Sequence, residues 1–134
     1  MEYSIVIATR NRLKALQLSV PRMLAQSRPP AQMIVVDSSD DHAAVAAEVR
    51  KMVGDLPIRL IIKHSERGLT LQRNIGLELV EQPIVFYPDD DSIFPGVAKE
   101  IMETYERDSK NLIAALCAAE SKIPPADFPI GKAD

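Results

Sequence analysis

A chain of 134 residues is the length of one ordinary domain, so a single core is expected and two are excluded. With 46% hydrophobic and 26% charged residues it falls outside both the disordered and the membrane-embedded classes. A formal net charge of -3 gives no general attraction to phosphate backbones, which excludes nucleic acid as an expected partner.

The run Ser4 to Ala8 is short, β-branched and flanked by polar residues, as in a strand buried on both faces. From Arg12 to Gln26, Leu13, Leu16, Val20, Met23 and Leu24 recur at helical spacing around Pro21, which predicts a kinked or two-part helix. Pro29 and Pro30 end it, and Met33 to Val36 forms a second buried strand that stops at Asp37 and the polar loop Ser38 to Asp41. A helix follows from Ala43 to Met52.

Gly54 and Pro57 precede a third strand, Ile58 to Lys63, and Gly68 precedes a helix from Thr70 to Leu79 with Thr70 as N-cap. Gly76 costs up to about 1 kcal/mol inside a helix, so a close approach to the sheet is expected there. Pro83 opens a fourth strand, Ile84 to Tyr87, and Pro88 closes it before Asp89, Asp90 and Asp91. Pro95 suits the first turn of a helix from Gly96 to Glu106, and Asn111 to Ala118 reads as a fifth strand. The lone Cys117 lies in that apolar run and is expected as a packed thiol, consistent with a reducing cytoplasm.

Strands alternating with helices predict an α/β fold: a three-layer α/β/α unit with a mainly parallel sheet over residues 1 to 120. Residues 121 to 134, with Pro124, Pro125 and Pro129, are expected as an extended tail. The start lacks the basic region and long apolar core of a signal peptide, and no apolar run approaches the roughly 20 residues of a membrane span. Any membrane contact would have to come from regions outside this sequence.

Parallel sheets bind ligands beyond the carboxyl ends of their strands, where loops and helix N-termini converge. Those ends carry Thr9 to Arg12, Asp37, His64 to Gly68, and Asp89 to Asp91. Three adjacent carboxylates repel one another unless water or a cation screens them, and hard oxygen donors select Mg²⁺ or Mn²⁺. The alternative is that these acids only favour the N-terminus of the next helix. Asp37 either meets a ligand or caps its own loop, and Arg73 is either a ligand contact or a solvated helix residue.

SIVIATRNR, MIVVDSSDD and GLTLQRNIGLELVEQPIVFYPDDD, in this order, resemble family 2 glycosyltransferases of the GT-A fold over Ser4 to about Ala118. The resemblance implies a nucleotide-sugar donor, with a UDP-sugar favoured, an inverting transfer to a hydroxyl acceptor, and a divalent metal. It places Thr9, Arg10 and Arg12 with Asp37 at the nucleoside and donor, Arg73 near the diphosphate and the acidic loop, Asp89 at the ribose or donor sugar, and Asp91 on the metal. Asp89 would be a further metal ligand, and Asp90 would lie at the donor.

Two departures stand out. Ser38 and Ser39 follow Asp37, where the family more often has an acid and a glycine. Further, only 43 residues follow Asp91 (134 - 91), so the acceptor site and the catalytic base are expected outside this stretch, and Asp127 and Asp134 are not assigned as that base. Competing expectations are a non-catalytic nucleotide-binding or regulatory module and a nucleotidyltransferase-like domain.

Overall fold

In a computed structural model, residues 1–92 and 96–118 are described. The expected Pro95 position and the Pro-rich tail 121–134 lie outside them. The elements are β1 (Tyr3–Thr9), α1 (Leu13–Leu24), β2 (Gln32–Asp37), α2 (His42–Val53), β3 (Arg59–His64), α3 (Leu69–Glu78), β4 (Ile84–Phe86) and α4 (Val97–Arg107). All strand pairings are parallel, and the order is β3-β2-β1-β4.

The central strands are apolar on both sides because each face is covered. Ile5, Ile7, Met33 and Val35 pack with Leu16, Val20, Val45, Val49 and Met102 from α1, α2 and α4. Val6, Ile34 and Val36 face the other way, where Ile75 and Leu79 pack against them. This is the expected three-layer α/β/α arrangement. Gly76 is the point of closest approach: a Cβ there would lie 2.4 Å from Val6 Cγ1, which is why that helix position carries no side chain.

Four sequence expectations change. Pro21 does not split the first helix but sits in the last turn of one continuous α1, whose buried Leu16, Val20 and Met23 hold it to the sheet. Thr70 is not the cap of α3. Gly68 is, and its backbone N–H is taken by Gln72 Oε1 at 3.1 Å. Residues 111–118 form no strand, because the first backbone donors of that run go to Asp108 instead of a neighbouring strand: Asn111 N–H to its carbonyl at 3.2 Å and the next two to its carboxylate. Leu112 N–H lies 3.1 Å from Oδ1 and Ile113 N–H 2.8 Å from Oδ2. Leu112 remains 79% exposed, so the apolar run is not buried. Cys117, on the same segment, is exposed instead of packed.

Among the described residues, no helix is long and apolar enough to cross a membrane.

Candidate functional site

The chain adds β2 and β3 on one side of β1, then crosses to add β4 on the other. That reversal places a crevice beyond the carboxyl ends of β1 and β4, since the connections on either side lead to opposite faces of the sheet. Thr9 ends β1, and Asp89 to Asp91 follow β4. An open cleft of about 600 Å³ lies there, lined by Thr9, Arg10, Arg12, Arg67, Gly68, Gln72 and the three aspartates.

The three acids have different surroundings. Asp90 is buried: Thr9 Oγ1 donates to its Oδ2 at 3.0 Å, Ser19 Oγ of α1 donates to its carbonyl at 2.6 Å, and Arg12 stands 3.6 Å from Oδ1. Burial raises its pKa, against the opposing effects of the Thr9 hydrogen bond and the Arg12 charge. Asp89 and Asp91 lie on either side with side chains 72% and 49% exposed, held by single guanidinium contacts. Arg73 reaches Asp89 Oδ1 and Arg12 reaches Asp91 Oδ2, each at 3.2 Å. The turn is closed locally, with Asp89 N–H donating to Ser92 Oγ at 2.9 Å and Ser92 N–H to the Asp89 carbonyl at 3.0 Å.

The structure thus brings Thr9, Arg10, Arg12 and the acidic loop together, with Arg73 joined through Asp89. The helix-terminus alternative for the acids loses support, because α4 begins only at Val97 and the acid in its first turn is Glu100. Asp37 stands one strand away, in the cross-strand row Thr9, Asp37, His64. It is fully buried. Its Oδ1 accepts from Ser39 N–H at 3.1 Å and Ser39 Oγ at 2.6 Å, and Oδ2 lies 2.8 Å from His42 Nδ1. The His42 ring stacks on His64, with centroids 4.4 Å apart. In this arrangement Asp37 holds its own loop.

Arg10 is also tied to that loop, donating to the Ser38 carbonyl and meeting Asp40 Oδ1 at 3.2 Å. Asn11, at φ 52°, donates from its backbone to Ser39 Oγ at 2.8 Å. These contacts fix the loops after β1 and β2 against each other, so the cleft has a preset wall.

Two contributors were not expected. Gln72 is buried and donates from Nε2 to the carbonyls of Thr9 at 3.0 Å and Val36 at 2.8 Å, while Oε1 accepts from Gly68 N–H and Ser38 Oγ. One side chain thereby ties the ends of β1 and β2 to the start of α3. Its signal was present: Gln72 is four residues from Gly76, on the helix face that meets the sheet. Ser19 was hidden by its place among apolar α1 residues. Arg67 and Gly68, from the strand-end stretch His64 to Gly68 that the sequence placed on this rim, line the cleft from the end of the β3–α3 connection.

The sequence pattern of glycosyl transferase family 2 matches residues 4–124, nearly the whole chain. The chain belongs to glycosyl transferase family 2. It is 31% identical over 106 residues to the uncharacterized glycosyltransferase YwdF of Bacillus subtilis (strain 168), covering 75% of this chain and 38% of YwdF. Among solved structures, S. aureus TarS 1–349 in complex with UDP-GlcNAc matches 80% of this chain and 32% of its own at a TM-score of 0.65 and 21% identity. The mannosyltransferase PcManGT of Pyrobaculum calidifontis, in complex with GDP-Man and Mn²⁺, matches 70% of this chain and 28% of its own at 0.59 and 22% identity. At these identities the likeness is one of fold. This family 2 chain spans about a third of the length of the proteins it matches and corresponds to their N-terminal, Rossmann-like half.

Proposed function

We propose that this chain is the donor-binding half of an inverting glycosyltransferase, holding a nucleoside diphosphate sugar together with Mg²⁺ or Mn²⁺ in the cleft between β1 and β4. The observation that carries the proposal is the division of labour in the acidic loop. Asp90 is buried and tied to Thr9, Ser19 and Arg12, which leaves Asp89 and Asp91 lining the cleft on either side. TarS was solved with UDP-GlcNAc and PcManGT with GDP-Man and Mn²⁺, which supports a nucleotide-sugar and a divalent ion as the ligands here.

The donor set suits such an ion. Among the described residues no group of three or more His, Cys, Asp or Glu forms a closed metal cage. Mg²⁺ and Mn²⁺ at phosphate sites need no such cage, because one or two carboxylates suffice when diphosphate oxygens and water complete the shell. Asp91, with Asp89, would hold the ion; bound, it would stabilise negative charge on the departing diphosphate. Thr9, Arg10 and the Asp37 loop would meet the nucleoside. Arg12 and Arg73 would meet the phosphates. The acceptor, a hydroxyl compound, and the base that takes its proton are assigned to no described residue.

The test is a thermal-shift titration with UDP, GDP, CDP and dTDP, each with Mn²⁺ and with EDTA. One nucleotide should stabilise the chain more with Mn²⁺, by an amount set by its concentration relative to Kd. Equal shifts with and without metal would remove the metal from the proposal, and no shift with any nucleotide would remove the donor site.

A further inference from the structure

The two cleft-facing carboxylates are each paired with a guanidinium from within the chain. Arg12 reaches Asp91 Oδ2 and Arg73 reaches Asp89 Oδ1, each at 3.2 Å, and Arg12 also stands 3.6 Å from Asp90 Oδ1. Arg12 is the N-cap residue of α1 and makes no side-chain cap bond, so its guanidinium is free to reach back across the cleft mouth. Arg73 comes from α3, on the opposite face of the sheet. Two positive groups from opposite layers thus meet one acidic turn. Arg10, by contrast, is committed to the Ser38 carbonyl and Asp40.

A divalent ion on Asp89 and Asp91 would displace both guanidiniums from the oxygens they now hold, and would leave two cations beside a third. Repulsion at such separations opposes the ion unless new negative charge enters with it. A diphosphate supplies that charge, and its oxygens accept from guanidinium groups in the paired geometry that suits arginine. We infer that Arg12 and Arg73 are exchangeable counter-ions of the acidic loop. They oppose binding of the bare metal, and they transfer from Asp91 and Asp89 to the diphosphate when metal and nucleotide enter together. Metal and nucleotide therefore bind with positive coupling, and each raises the affinity for the other by the same factor.

The inference rests on the donor-site reading above and has its own signature, an effect of opposite sign on two ligands. Exposed pairs of this kind are each worth a factor of about two to five in an equilibrium constant. Arg12→Gln and Arg73→Gln should each tighten Mn²⁺ binding in the absence of nucleotide by a few-fold, read by the electron paramagnetic resonance of free Mn²⁺. The same variants should bind UDP or GDP more weakly than wild type at fixed Mn²⁺, read by calorimetry. Both side chains are partly exposed, and unchanged melting of the ligand-free variants checks the fold. Mn²⁺ affinity that is unchanged or lower in both variants, while wild type still binds nucleotide with Mn²⁺, overturns the counter-ion role alone. Wild type that binds neither UDP nor GDP with Mn²⁺ overturns the donor site itself, and the counter-ion role with it.

Discussion

Gln72 donates its side-chain amide to the backbone carbonyl of Thr9 at 3.0 Å, joining the start of α3 to the end of β1 inside the protein. The same amide reaches Val36 O at 2.8 Å, so one side chain ties two strand ends together, beside the Ser38 N–H that donates to Thr9 O at 3.0 Å. Gln72→Leu removes this buried donor while Thr9 O keeps the Ser38 N–H, at a cost of about 1 to 3 kcal/mol. The expected loss in urea unfolding is of that size, about 1 to 3 kcal/mol. A variant within 0.5 kcal/mol of wild type would show that water replaces the amide.

Gly76→Ala tests the contact between α3 and the sheet. Alanine gains up to about 1 kcal/mol in helix propensity, yet its methyl would stand 2.4 Å from Val6 Cγ1, a branched side chain with little room to turn. Overpacking of about 1 to 3 kcal/mol should win, giving a net loss. Adding Val6→Ala removes the clashing methyl, so the double variant should lose less than the two single losses added together. Simple additivity would place the cause elsewhere.

Two carboxyls should move stability with pH in opposite directions. Burial raises the Asp90 pKa above its ordinary 3.8, so the fold favours the protonated acid. Its contribution is full below 3.8 and is lost as pH rises through the raised value. Asp90→Asn, measured in EDTA, should therefore be stabilising at neutral pH, with the gain disappearing below pH 3.8. Glu106 is the reverse: its hydrogen bonds from Arg28, at 2.6 and 2.8 Å, lower its pKa from 4.5 to about 2. Its contribution is present above 4.5 and lost as pH falls through about 2, so Glu106→Gln should be slightly destabilising at neutral pH only. Parallel pH profiles for the two variants would contradict both assignments.

Asp91→Asn should abolish most of the Mn²⁺ dependence of nucleotide binding while leaving the ligand-free melting temperature within a degree or two of wild type. Asp91 is half exposed and its one cation contact is of the kind worth about 0 to 1 kcal/mol. A large drop in the melting temperature without ligand would instead make Asp91 structural.

Periodicity and punctuation were enough to place four strands and four helices in order, because strand and helix repeats are local properties of the chain. Gly76 was legible for the same reason: a glycine inside a helical pattern costs stability, and the close approach to Val6 explains it. The strand-end positions of Thr9, Arg12 and the acidic triplet were legible too, since a parallel sheet gathers its carboxyl ends on one rim. Burial and pairing were decided only by the tertiary structure. Adjacent aspartates are identical as letters, yet Thr9, Ser19 and Arg12, brought in from β1, the middle of α1 and its cap, make Asp90 the inner one. Asp37 reads as an open strand-end acid until Ser39 and His42 are folded onto it. The run 111–118 is apolar enough for a strand, but a strand exists only where a neighbour offers hydrogen bonds, and Asp108 takes its first donors. In each case the deciding group lies on another element or turns back from a neighbouring one, and sequence order alone does not say which groups will meet.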